Sequence, residues 1–168
     1  MTPIVLTWLT AGLVAVASTP IAAQGAPVIR AGTAFPCTPV AVWDGDGPVW
    51  CAEGPKLRLA GIAAREIDGT CRTGQPCPAA SGLDARRQLV ALLGGPKGVL
   101  REGHIAVAGP VLRCTSEGEG KGDRTAARCL LPNGADLSCQ MIASGTVLRW
   151  PNYDRANRCR LARARWPR

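Results

Sequence analysis

Histidine is almost absent from this chain, His104 being the only one, and no two cysteines stand in a C-x2-C spacing. Both shortages argue against a zinc site, which draws its ligands from such groups. Charge is missing from residues 1–29 altogether. Within that stretch, residues 4–18 (IVLTWLTAGLVAVAS) are largely apolar, about as long as the h-region of an export signal and short for a membrane span. Ala22, Ala23, Gly25 and Ala26 follow, so residues 1–23 read as a signal peptide cleaved between positions 23 and 26. The Met-Thr-Pro start lacks the usual basic residue, which leaves an uncleaved anchor as the alternative. No later run is long and apolar enough to cross a bilayer. Internal repeats and interdomain linkers are missing too, and the remaining length suits one domain. The expectation is a secreted or periplasmic protein, monomeric and soluble once processed.

Cysteine, by contrast, is plentiful: Cys37, Cys51, Cys71, Cys77, Cys114, Cys129, Cys139 and Cys159. An even number after an export signal reads as a disulfide framework in an oxidising compartment. Sequence alone does not choose among the many pairings, but local structure ranks them. Cys37 and Cys51 sit symmetrically about a turn, Cys71 and Cys77 close a short Gly/Pro loop, and Cys114 and Cys129 flank a Gly-rich turn. Cys139, on a helix, is left to hold Cys159 in the tail.

The formal net charge is +8, and from Arg149 onward seven arginines face one acid, Asp154. Such a cluster attracts polyanions, whether nucleic acid, anionic headgroups or polysaccharide, although it also serves as a solvated tail. Trp150, Tyr153 and Trp166, interleaved with the arginines, tilt the reading toward nucleic acid.

Residues 24–34 read as a linker, 35–150 as the folded domain and 151–168 as a basic Arg-rich tail. Strands are expected at 38–43 and 48–52, joined by Asp44-Gly45-Asp46-Gly47, a hairpin signal. A third, at 56–62, alternates polar and apolar residues. Ser81-Gly82-Leu83-Asp84 resembles a capping box opening a helix to about Leu93. Leu83, Arg86, Leu89, Val90 and Leu93 give that helix one face to bury. Strands near 104–108, 111–115 and 125–131 come next, then a helix over 137–143 capped by Asp136 and stopped by Gly145. Short strands with segregated helices predict a small α+β barrel.

Val42-Trp43-Asp44-Gly45-Asp46, Leu57-Arg58-Leu59-Ala60-Gly61-Ile62, Glu66, Asp123-Arg124-Thr125-Ala126-Ala127 and Gly134-Ala135-Asp136-Leu137 together resemble the thermonuclease, or staphylococcal-nuclease-like, family. The resemblance covers about residues 37–150. It implies a five-stranded OB-type β-barrel with two to three helices, here stapled by disulfides, and calcium-dependent hydrolysis of DNA and RNA phosphodiesters. By the same resemblance Asp46 binds Ca2+, Arg58 and Arg124 grip phosphate oxygens, and Glu66 acts on the attacking water. A cation and guanidinium groups would offset the charge that builds up in the transition state.

The chain departs from the family pattern at several places. Ala63 stands where the second ligand acid belongs, Gly47 replaces a threonine, and Arg65 adds a positive charge nearby. Asp44 and Asp68 are the nearest substitutes for the missing acid. Taken singly, Asp44 and Asp46 also suit a turn, Arg58 an ordinary strand, and Glu66 and Arg124 a charged surface. His104 carries no assigned role, and Trp43 and Trp50 read as rim packing or as surfaces that stack on a base. Two expectations follow: an exported phosphodiesterase weakened at its metal, or a non-catalytic module of the same fold that binds nucleic acid, another polyanion or an envelope partner.

Overall fold

The structure, a computed structural model, describes residues 27–160. The signal segment at 1–23 and the final arginines, Arg163, Arg165 and Arg168, lie outside those residues. Among the described residues no helix is long and apolar enough to cross a membrane.

The chain is α+β. Its strands are β1 (Ala34–Cys37), β2 (Pro39–Val42), β3 (Val49–Cys51), β4 (Lys56–Leu59), β5 (Ile62–Ala63), β6 (Pro96–Val99), β7 (Ile105–Val107), β8 (Leu112–Glu119), β9 (Arg124–Leu130) and β10 (Leu148–Arg149). Helix α1 (Gly82–Leu92) separates β5 from β6, α2 (Leu137–Ala143) follows β9, and a 3-10 turn covers Pro151–Tyr153. Eight strands form one sheet in the order β1-β8-β9-β4-β3-β2-β7-β6, and β5 pairs with β10 alone.

The expectation of five strands is therefore corrected to ten in two sheets among the described residues. The additions lack a readable pattern for a physical reason. β6 is exposed along its whole length, so nothing selects an alternating sequence there. β5 and β10 are two residues each, too short to show a period. β1 grows out of the segment read as linker, where Gly32 N–H donates to Ser116 O at 2.8 Å and Ile29 N–H to Thr125 Oγ1 at 3.0 Å.

The main sheet curls. β7 and β8 are joined by a short connection, yet they sit near opposite ends of the strand order. A chain that steps from one end to the other in so few residues draws those ends together. The enclosed core is aliphatic: Leu57, Leu59, Leu89, Leu112, Leu137 and Met141 are fully buried. Alternation along β4 puts Leu57 and Leu59 inward and Lys56 and Arg58 on the other face. In α1 the buried line is Gly82, Ala85, Leu89 and Val90. Leu83, expected on that line, is 41% exposed. The caps are the expected ones, with Ser81 accepting from Asp84 N–H and Asp136 from Cys139 N–H.

All eight cysteines are paired, as Cys37–Cys51, Cys71–Cys77, Cys114–Cys129 and Cys139–Cys159. The last of these fixes the segment after β10 to α2. Asp154 reinforces it from beneath: its carboxylate accepts from Arg128 Nη2 and Arg149 Nε, both at 2.8 Å, and its side chain is 1% exposed. Gly61 leaves room for this pair, since a Cβ there would lie 2.9 Å from Arg128 Nη2. Burial opposes the Asp154 charge, but Arg149, the Arg158 N–H and Arg128 outweigh it and hold the carboxyl below its usual range.

Replacing Asp154 by Ala would leave Arg128 buried without its closest partner. Such a loss costs about 3 kcal/mol, which for a domain of this size is a fall of roughly 10 °C in Tm. Thermal melting of the oxidised protein checks this. An unchanged Tm would show that the tail segment is not anchored through this pair.

Candidate functional site

The β2–β3 hairpin turn lies against α1 and β4. Gly45 permits the first approach, because a Cβ there would come within 2.2 Å of Ala85 Cβ. Gly47 permits the second: its φ is +114°, and a Cβ would sit 2.3 Å from Leu57 O. A β-branched residue such as threonine would not fit this backbone.

Two acids are thereby buried, Asp44 and Asp46. Asp46 Oδ2 accepts from Ala64 N–H at 2.8 Å, and Oδ1 is ion-paired with Arg58 Nη1. Asp44 Oδ1 accepts from Asp46 N–H at 3.1 Å. Arg58 Nη2 also donates to Ile62 O at 3.3 Å. Parallel pairing of β4 with β9 sets Lys56 opposite Arg124 and Arg58 opposite Ala126, so both arginines come to one region. Gly120 lets the β8–β9 turn close over Arg58, since a Cβ there would lie 2.9 Å from Arg58 Cβ.

These groups line a cleft of about 450 Å3 that holds Asp44, Asp46, Arg58, Glu66 and Arg124 together. The sequence-predicted residues are thus brought into one place from four separate segments. Asp68 is not among them: it is exposed, and Thr70 occupies its Oδ1 through N–H and Oγ1. Ala63 is fully buried and contributes no oxygen. Arg65 does not add its charge to the cleft. Its guanidinium donates to Pro78 O at 2.8 Å and to Gly69 O at 2.7 Å, bracing the loop closed by Cys71–Cys77.

That loop supplies what sequence reasoning missed. Arg72 Nε pairs with Glu66 Oε1 at 2.7 Å and lines the cleft, and Gln75 Nε2 donates to Ala64 O at 3.1 Å. Lys121, Trp150 and Tyr153 also line the cleft, as do two acids, Glu117 and Glu119. A disulfide closing a six-residue separation just after the strand was the available signal that Arg72 would be held in a fixed place.

Burial pushes the Asp44 carboxyl from its ordinary 3.8 up to about 7, with Glu66 adding to the effect, against the pull of Arg58, the Gly47 N–H and Arg124. The same burial brings Arg58 down to about 10, with Asp44 working against it. Arg58 therefore stays charged at neutral pH, while Asp44 is poised to exchange a proton there.

The donor set does not fit calcium. Six to eight oxygens are needed, yet both Asp46 oxygens are engaged and Ala63 has none. Among the described residues, three acidic or cysteine ligand atoms lie within 4.8 Å of one another at Cys37, Cys51 and Glu53 and at Asp136, Cys139 and Cys159, and not in the cleft. Both groups rely on disulfide sulfurs.

No protein-family model matches the chain, and neither a curated protein nor a solved structure matches it significantly.

The raised carboxyl of Asp44 means that the folded protein holds this proton more tightly than the unfolded chain does. Stability from this group is fully present below about pH 4 and is lost as pH rises through about 7. Asp44→Asn should accordingly be more stable than wild type at pH 8, by on the order of 4 kcal/mol, and most of that gap should be gone by pH 4.5. Urea unfolding of both proteins at the two pH values measures it, and a pH-independent difference would refute the assignment.

Proposed function

We propose that the chain is an exported, thermonuclease-like phosphodiesterase acting on nucleic acid. The convergence of Asp44, Arg58, Glu66 and Arg124 in one cleft carries this reading. The order of strands is consistent with it. In this reading β2, β3, β4, β9 and the β7–β8 segment would correspond to the strands of an OB-type barrel, a view supported by the parallel pairing of β4 with β9, and β1, β5, β6 and β10 would be additions. Four disulfides suit an extracellular setting.

In this reading Arg58, fixed from behind by Asp46, and Arg124 hold the phosphate oxygens through paired N–H groups. Lys121 and Arg72 add to the positive field at the rim. Glu66 takes a proton from the attacking water as the new P–O bond forms. Asp44, protonated near neutral pH, returns a proton to the leaving oxygen as the old P–O bond breaks. Asp46 orients Arg58 instead of ligating a cation.

A second reading has its own observation. With Ala63 in place of an acid and Asp46 fully engaged, the cleft could hold the diester without cutting it. Oxidised, purified protein should cleave denatured DNA or RNA, and a chelator should leave that cleavage in place. Arg58→Ala and Glu66→Ala should each lower it about 100-fold. If the protein cuts neither polymer with or without calcium, yet binds strands with an affinity that falls steeply with salt, the non-catalytic reading replaces the first.

A further inference from the structure

Among the described residues the core contains no tryptophan. Its fully buried large side chains are Leu, Ile, Val, Met and Thr, and Phe35 only packs against its edge. All three tryptophans among the described residues, Trp43, Trp50 and Trp150, instead line clefts. Trp150 belongs to the main cleft, where its ring meets Tyr153 edge-on at 4.7 Å. Trp43 and Trp50 belong to a second groove of about 300 Å3 on the other side of the hairpin turn.

His104, just before β7, sits between those two rings. Its centroid is 4.2 Å from Trp50 at a tilt of 40° and 5.1 Å from Trp43 at 80°. The Trp43 segment is held in place by Arg86 of α1, whose Nη1 donates to Trp43 O at 3.4 Å and to Gly103 O at 3.3 Å. All three rings are half-buried, so each keeps a surface open to the groove. Strand alternation explains Trp50: Val49 and Cys51 face the core, which turns the indole outward.

The groove is continuous with the main cleft. Asp44, Glu66, Arg72 and Arg124 line both. A ligand lying across the two would meet arginines at the junction and stacked aromatic surface beyond it. An isolated cation is disfavoured by Arg72 and Arg124. A flat ring that carries a phosphate suits both halves at once.

We propose that Trp43, Trp50 and His104 form a stacking subsite for a nucleobase next to the phosphodiester held by Arg58 and Arg124. The subsite rests on the phosphodiester reading of the main cleft and gives it a substrate class. Its ligand is a single strand, because a paired base presents its faces to its neighbours in the duplex and not to a protein groove. Every base has a π-face, so the subsite is tolerant of sequence.

The test compares three labelled probes by fluorescence anisotropy: an oligothymidylate, an abasic strand of the same length, and a duplex. The oligothymidylate should bind about tenfold tighter than the abasic strand, a typical stacking contribution for one base, and the duplex should show no such gain. Trp50→Ala should bring the ratio of the two single strands close to one, and Trp50→Phe should restore most of it. His104→Ala, outside the strands, provides a second variant should Trp50→Ala fold poorly, and is expected to narrow the ratio as well. Equal binding of base-bearing and abasic strands by wild type would overturn the subsite and leave the phosphodiester reading intact. So would a ratio that survives Trp50→Ala and vanishes in Trp150→Ala. If no strand binds at all, both readings fall.

Discussion

Asp46 uses each of its polar atoms to tie the hairpin to what surrounds it. Its carboxylate takes Arg58 on one oxygen and the Ala64 N–H on the other. Its carbonyl accepts from Leu59 N–H at 2.9 Å, and its own N–H donates to Asp44. The turn, β4 and the chain beyond β5 are therefore one unit. Without this carboxylate, Arg58 would be left as a buried charge lacking its nearest counter-ion, a costly state. Everything the cleft offers follows from that fixation. Arg58 points where β4 and the hairpin send it, Asp44 lines the same cleft, and the chain reaching Glu66 starts from the pinned Ala64.

A core made of short aliphatic side chains does not hold strands of two to four residues by burial alone. The disulfides offset this by restricting the unfolded chain, each contributing about 2–4 kcal/mol. Their placement also serves the cleft. Cys37–Cys51 ties the end of β1, just before the hairpin, to β3, and Cys71–Cys77 keeps Arg72 and Gln75 against the cleft wall, with Arg65 bracing the loop from outside. Cys139–Cys159, together with Asp154, holds Trp150 and Tyr153 at the opposite rim. With the core so free of aromatic rings, Trp43, Trp50 and Trp150 are available as surface for ligands.

Local chemistry was legible in the sequence. Ser81 and Asp136 announce their helices because capping is a contact within three residues. The Asp-Gly-Asp-Gly hairpin and the alternation at β4 are equally short-range. What depends on distant partners was not legible. β1, β6 and the β5–β10 pair form only because an edge was free elsewhere, so their sequences carry no period. Arg65 looked like a charge beside the site, but the carbonyls of Gly69 and Pro78 draw it away. Arg72 and the Arg128–Asp154 pair went unseen because their partners lie across loops and strands that no spacing rule connects. Leu83 fits the helical period and is still 41% exposed.

One electrostatic cause underlies the cleft's chemistry. Burial disfavours charge of either sign, so it raises Asp44 and lowers Arg58 together. An anionic diester seated by Arg58 and Arg124 changes that balance. It stabilises the guanidinium charges, and by like-charge repulsion it holds the proton on Asp44 more tightly. Ligand and proton thus reinforce each other: the bound state is the one in which Asp44 has a proton to give. Loading a cation would work the other way, driving that proton off and competing with Arg58 for Asp46. With Ala63 offering no oxygen and Asp46 engaged by Arg58, the charges available to an anion in the cleft are those of its arginines, with the raised carboxyl of Asp44 beside them.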